Sequence, residues 1–169
     1  MNTKNIILIG AMGAGKSAVG RRLAKKLGAP FYDSDQVIGE KTGVDIPTIF
    51  EYEGESGFRL REEKVISELC QLKMIVLATG GGAILSEKTR KLLPEKGTVF
   101  YLKADVDTLI NRTHGDANRP LLNTPNKQHT IAAILQQRQP LYEKIAHHII
   151  TTDHHTTNWT TNQIINHIS

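Results

Sequence analysis

Residues 10 to 17 read GAMGAGKS and follow directly on the apolar run Ile6-Ile7-Leu8-Ile9. The spacing Gly10-x4-Gly15-Lys16-Ser17 is that of a phosphate-binding loop, and it stands where the pattern has meaning, after a strand and opening a helix. Glycines let backbone N–H groups turn inward and approach phosphate oxygens, and the N-terminus of the next helix adds its partial positive charge. Lys16 can then reach the β and γ phosphates, and Ser17 can offer a hydroxyl to Mg²⁺. A plain glycine turn from strand to helix would need neither the lysine nor the serine. We therefore expect a nucleoside triphosphate along Gly13, Ala14, Gly15, Lys16, Ser17 and Ala18.

Outward from this loop, short apolar runs alternate with amphipathic stretches. Ser17 to Leu27 places Val19, Leu23 and Leu27 on one helical face, with Arg21, Arg22, Lys25 and Lys26 outward. Gly28 and Pro30 end that helix. After the strand at Ile6 to Ile9, further strands are expected at 30–33, 74–79, 98–102 and 148–151, separated by helical patterns. Repeated β-α-β units predict an α/β fold, a three-layer αβα sandwich on a five-stranded parallel sheet of P-loop kinase type. Two segments depart from the rhythm. Asp35 to roughly Gly57 reads as a helical excursion broken by Gly43, Pro47 and Gly54, and the polar stretch HGDANRPLLNTPNKQ reads as a long exposed loop. The expected organisation is one domain over 1–169, with a substrate-binding helical insertion at about 35–61 and a lid at about 114–128.

A chain of 169 residues can bury roughly 70% of the surface its unfolded form exposes, enough for a proper core. No apolar run approaches the ~20 residues a bilayer span needs, so no membrane role is expected. Met1-Asn2-Thr3-Lys4-Asn5 leads straight into a strand, without the regions of a signal peptide, and a cytoplasmic location is expected. The single cysteine, Cys70, shares helical spacing with Val65, Ile66 and Leu69 and reads as a packing thiol. The net charge of +4 comes from scattered basic residues with no aromatic interleaving, which favours small anionic substrates over nucleic acid.

A phosphate loop alone leaves switches, motors, hydrolases and kinases open. The only Asn-Lys pair, Asn126-Lys127, lacks the aspartate of a guanine reader, which argues against a GTPase switch. A helical flap and a polar lid over the loop suit a kinase that excludes water and passes phosphate to a second small molecule. Asp33-Ser34-Asp35 closes the second strand. Were the strand to continue, both carboxylates would face one side, one toward Mg²⁺ waters and the other toward an acceptor hydroxyl; the alternative is a helix cap, with Asp35 as a good N-cap, and a surface acid. Arg59 and Glu62 stand three apart, a spacing that lets an ion pair fix the guanidinium fork. Thr79-Gly80-Gly81-Gly82-Ala83 puts bare backbone after the third strand, where open α/β sheets bind ligands.

In order along the chain, GAMGAGKS, FYDSD, GESGFRLRE, TGGGA, NRPLL and QQRQPLY resemble the shikimate kinase family, within the nucleoside-monophosphate-kinase branch of P-loop proteins. The resemblance implies ATP as co-substrate, one Mg²⁺ per subunit held at Ser17 and Asp33, and transfer of the γ-phosphate to the 3-hydroxyl of shikimate, a step of aromatic amino-acid biosynthesis. It implies that Asp35 binds shikimate hydroxyls and helps deprotonate the attacking one, making Lys16, Asp35 and Arg119 the catalytic set. Arg59 and Arg138 would hold the substrate carboxylate, Gly80, Gly81 and Gly82 would line the pocket, and Glu62 would steady Arg59. Arg119 would be the lid arginine on the phosphates, and Arg112 would lie near the adenine. A monomer is expected.

Two departures accompany the match. Ala18 stands where the family commonly has threonine, and the tail ITTDHHTTNWTTNQIINHIS lacks the proline of an adenine-facing loop, leaving Asp153 as the expected adenine contact. The pairs His147-His148 and His154-His155 invite a metal reading, but neighbours on a strand point oppositely and no cysteine or acidic cluster converges on them. Rival readings are another kinase of the same architecture, for gluconate or a nucleoside monophosphate, and a nucleotide-binding module without turnover.

Overall fold

Asn5–Ile9 forms β1, buried at all five positions, as a central parallel strand covered on both faces must be. The computed structural model describes residues 4–114, 120 and 125–169. Around β1 lie β2 (Phe31–Asp33), β3 (Val76–Ala78), β4 (Gly97–Lys103) and β5 (His148–Thr151), all paired in parallel in the order β2-β3-β1-β4-β5. The third strand starts later than its apolar run suggests, and Met74, with φ 58, stands outside the ladder.

Strand side chains alternate between two cores. Ile6, Leu8, Phe100 and Leu102 pack with Val19 and Leu23 of α1 (Lys16–Leu27) and Ile164 of α7 (Thr157–Ile168). Ile7, Ile9, Val99 and Tyr101 pack on the opposite face with Ile66 and Leu69 of α3 (Ile46–Leu69) and Leu93 of α4 (Glu87–Lys96). This is the expected αβα sandwich. The connection leaving β1 runs to β2, whereas the one leaving β3 crosses to β4. Adjacent strands β1 and β3 therefore send their chains apart, which opens a crevice at their carboxyl ends.

The excursion after β2 is α2 (Ser34–Thr42) followed by α3. Gly43 closes α2 in the left-handed region at φ 75, and Gly54 kinks α3 at φ 70. Pro47 breaks nothing: it stands in the first turn of α3, where a missing N–H has no partner to lose, and Asp45 caps that end through Thr48 N at 2.9 Å. The polar stretch ends slightly earlier than expected, since the Asn126 side chain caps α6 (Lys127–Ile145). Residues 115–119 and 121–124, with Arg119 among them, lie outside the described residues. Among the described residues, no helix is long and apolar enough to cross a membrane.

Candidate active site

The loop after β1 enters α1 through Gly15 at φ 95, with Gly13 at φ 85, a backbone region that excludes ordinary side chains. At Gly13 a Cβ would also stand 2.7 Å from Thr113 Cγ2, so the loop closes tightly on α5 (Val106–Thr113). The first turn of α1 carries no acidic residue and no side-chain cap, leaving its N–H groups directed at the crevice. Lys16, 8% exposed, donates from Nζ to Gly10 O at 2.7 Å and Ala11 O at 2.8 Å. Its ammonium is thus held over the loop.

Ser17 Oγ donates to Asp33 Oδ2. Asp33 ends β2 and caps α2, its other oxygen accepting from Asp35 N at 3.0 Å and Gln36 N at 3.3 Å. The strand therefore does not continue through both acids, and Asp35 is not the cap. Asp35 instead sits in the first turn of α2, where it lines the crevice from a helix. A cleft of about 670 Å³ is lined by Gly13, Gly15, Lys16, Ser17, Ala18, Asp33, Asp35, Gly80, Gly81 and Arg112. Ala14 turns its side chain into the core while its carbonyl accepts from Arg112 at 3.2 Å. Arg112 also donates to Thr152 Oγ1 and Thr152 O, each at 3.1 Å, which ties the loop to the end of β5. Asp153 is not among the residues lining this cleft, and its carboxylate accepts from Asp105 N at 3.0 Å, at the cap of α5.

A smaller pocket opens beside this cleft and shares Asp35, Ile46, Gly80 and Gly81 with it; Met12, Phe50, Phe58, Arg59, Glu62, Gly82, Pro120 and Arg138 complete the wall. Arg59 Nη1 pairs with Glu62 at 2.8 Å and Nη2 with Glu55 at 3.3 Å, the spacing of three having fixed the fork as expected. Glu62 is only 2% exposed. Burial pushes its carboxyl up to about 7, against the pull of Arg59 and with a further push from Asp35. Arg138 is buried too, and burial holds its guanidinium below the usual arginine range. Its Nε and Nη1, like Glu62 Oε2, have no hydrogen-bond partner among the described residues. Buried polar atoms of this kind are rare unless a ligand takes them up.

Gly80 and Gly82 are steric requirements of the pocket, while a Cβ on Gly81 would only press on Met12 N at 3.1 Å. A Cβ on Gly80 would stand 2.5 Å from Glu62 Oε2 and 2.8 Å from Asp35 Oδ1, and one on Gly82 would stand 2.2 Å from Arg59 Nη2. Three residues of the site had no signal of their own in the sequence: Ser34, buried behind the wall, whose Oγ accepts from Gly80 N at 3.0 Å; Phe58, in the wall beside Arg59, with its ring tilted 38° to that of Phe50 at 4.9 Å; and Thr152, which holds Arg112.

A family model described as shikimate kinase matches residues 12–169. The chain belongs to the shikimate kinase family. Family members among its relatives include the shikimate kinases of Methylococcus capsulatus, 48% identical over 98% of this chain and 92% of the relative, and of Thioalkalivibrio sulfidiphilus, 54% identical over 89% and 80%. A solved shikimate kinase from Acinetobacter baumannii in complex with shikimate superposes with a TM-score of 0.97 at 46% identity, covering 99% of this chain and 93% of that one. A gluconokinase from Sinorhizobium meliloti, 16% identical with a TM-score of 0.61, shares the fold alone.

The remaining sequence features are accounted for by packing. Cys70 is buried, and burial pushes its thiol up to about 11, far from a nucleophile's range. His147 accepts from Val99 N at 2.9 Å, His148 stacks on Phe100 at 5.0 Å, and His155 stacks on Trp159 at 3.5 Å. Among the described residues no three His, Cys, Asp or Glu side chains gather as metal ligands.

Proposed function

We propose that the chain, a shikimate kinase by family, transfers the γ-phosphate of ATP to the 3-hydroxyl of shikimate and releases shikimate 3-phosphate and ADP. The observation that carries this reading is the meeting of a phosphate loop and a two-arginine pocket across one crevice, at Asp35, Gly80 and Gly81. A substrate bearing both a carboxylate and a hydroxyl spans those two features; a nucleotide base offers no carboxylate to Arg59 and Arg138.

Arg59 and Arg138 take the carboxylate, which orients the ring so that one hydroxyl points back to Asp35. Asp35 accepts that hydroxyl's proton as the oxygen attacks the γ-phosphorus in line. The N–H groups from Gly13 to Ala18 and the Lys16 ammonium hold the phosphates and stabilise the charge spread over the transferring group. Ser17 and Asp33 fit a Mg²⁺, since both are hard oxygen donors joined by a hydrogen bond at the cleft wall. When bound, that ion neutralises charge on the β- and γ-phosphate oxygens. Arg112 anchors the loop and its guanidinium edges the nucleotide cleft, while Arg119 is assigned to the phosphates by the family resemblance alone. Both halves of the crevice come from one chain, so one protomer carries a complete site; a monomer acting in the cytoplasm completes the proposal.

The test is ADP release from ATP and Mg²⁺ with shikimate, gluconate or a nucleoside monophosphate as acceptor, and mass spectrometry of the product. Turnover with shikimate only, weakened through KM for shikimate by Arg59→Lys, supports the reading. Faster turnover with either other acceptor, or none with shikimate, overturns it.

A further inference from the structure

Tyr142 lies one helical turn beyond Arg138 on α6, so the two side chains share a face. Its ring is 1% exposed and stacks on Tyr101 of β4 with centroids 5.0 Å apart and planes at 26°. The hydroxyl donates to the carbonyl of Gly81, the middle residue of the glycine turn. Arg138 faces the same hydroxyl, each side chain altering the other's ionisation. The buried hydroxyl therefore bonds one wall of the small pocket, Gly81, and lies beside another, Arg138, 57 residues further along the chain.

Both walls need such a tie. Gly80, Gly81 and Gly82 have the greatest backbone freedom of any tripeptide, and their carbonyl and N–H directions are not set by side chains of their own. Ser34 Oγ holds Gly80 N; the Tyr142 hydroxyl holds Gly81 O. Arg138 in turn keeps Nε and Nη1 clear of protein partners among the described residues, so the direction of its fork depends on what steadies the rest of the group. Tyr101 offers no substitute, because its own hydroxyl is buried without a partner among the described residues.

We propose that Tyr142 is a positioning residue for the acceptor, its hydroxyl setting the orientation of Arg138 and of the Gly81 peptide together and thereby the affinity for the substrate carboxylate. The proposal rests on the reading of this pocket as the shikimate site. Because Arg138 holds the carboxylate in ground and transition state alike, the loss falls on KM for shikimate rather than on kcat.

The experiment is Tyr142→Phe, which keeps the ring and its stack, compared with Tyr101→Phe, which removes the neighbouring hydroxyl and touches neither wall. For Tyr142→Phe we expect KM for shikimate to rise on the order of 3- to 10-fold, with kcat and KM for ATP within about twofold; Tyr101→Phe leaves all three near the parent. The double variant Y142F/R138K is expected to be weaker than R138K by less than the factor Y142F causes alone, as residues acting through one another require. A lower thermal midpoint for Tyr142→Phe with unchanged KM for shikimate, an equal effect from Tyr101→Phe, or full multiplication in the double variant would each overturn the proposal. Should Tyr142→Phe melt near the assay temperature, shikimate titrations in the cold give the same comparison. If Arg138→Lys itself leaves KM for shikimate unchanged, the pocket assignment has failed, and the role given to Tyr142 falls with it.

Discussion

The backbone at Gly82 sits at φ −93 and ψ 1, a conformation open to alanine, so Gly82→Ala strains no dihedral. Its added methyl would nevertheless stand 2.2 Å from Nη2, 2.3 Å from Cζ and 2.5 Å from Nη1 of Arg59. Carbon and nitrogen atoms pack comfortably near 3.5 Å, so the guanidinium must retreat by about 1 Å. It is not free to do so: Nη1 is tied to Glu62 at 2.8 Å, Nη2 to Glu55 at 3.3 Å, and the Phe58 ring lies 5.2 Å away on one side. The fork therefore tilts off the line to the substrate carboxylate. Losing one charged hydrogen bond costs about 1.5 to 3 kcal/mol, or roughly 10- to 150-fold in affinity. Misplacing a positioning group by about 1 Å leads to a similar factor near 10². In steady-state assays at saturating ATP, Gly82→Ala should raise KM for shikimate by roughly 10- to 100-fold and leave KM for ATP within about twofold. If Arg59→Ala raises KM for shikimate but Gly82→Ala does not, the close approach is not what positions the arginine. A parallel rise in KM for ATP would assign the glycine turn to the nucleotide instead.

Lys16→Ala should lower kcat on the order of 10²- to 10³-fold while circular dichroism stays native, since the ammonium rests on loop carbonyls and not in the core; near-normal kcat would remove the loop from the chemistry. Asp33→Asn keeps an oxygen for the N–H groups of Asp35 and Gln36, so the start of α2 should survive where Asp33→Ala loses about 1 kcal/mol. Its half-saturating Mg²⁺ should nonetheless rise roughly 10- to 100-fold, and an unchanged Mg²⁺ titration would place the ion elsewhere. For Glu62, the folded carboxyl near 7 lies above the ordinary 4.5, so the native state binds more protons than the unfolded one between those values. The residue's contribution to stability is thus full below about 4.5, falls as pH rises toward 7 and is flat beyond; denaturant titrations should show this slope in the parent and lose it in Glu62→Gln, and the same slope in both would disprove it.

The phosphate loop was legible because its chemistry is contiguous: the strand, the glycines, Lys16 and the helix start all lie within one short stretch, and local backbone rules decide them. Arg59 with Glu62 was legible for the same reason, two side chains on one helical turn. What failed was decided at a distance. Whether Asp33 or Asp35 caps α2 depends on where β2 stops pairing, and its last ladder partner, Ala78, lies far along the chain. Asp153, expected near the adenine from the resemblance, accepts from Asp105 N across the end of the sheet, a contact that no local pattern announces. Arg112 and Thr152 meet for the same topological reason.

The charge count at the acid end of the crevice is likewise invisible in one dimension, and it bears directly on what the pocket accepts. Arg59 and Arg138 bring two guanidiniums against Glu62, whose own ionisation is made costly by burial and by Asp35. A protonated Glu62 would leave Arg59 only its more exposed partner Glu55, while an ionised one satisfies Arg59 and leaves Arg138 facing the cavity with two unused donors. An entering carboxylate supplies the charge that the second arginine lacks, and it does so without displacing Glu62. A neutral sugar or alcohol fills the same volume but leaves Arg138 buried and unpaired, a penalty of the kind that makes removing one partner of a buried ion pair costly. On the proposed reading, discrimination would come from the protein's uncompensated charge more than from the shape of the pocket. It follows that Arg138→Met, which removes the orphaned cation at similar volume, should narrow the gap in KM between shikimate and its uncharged alcohol analogue by weakening only the former; if the gap persists, shape and not charge sets the preference.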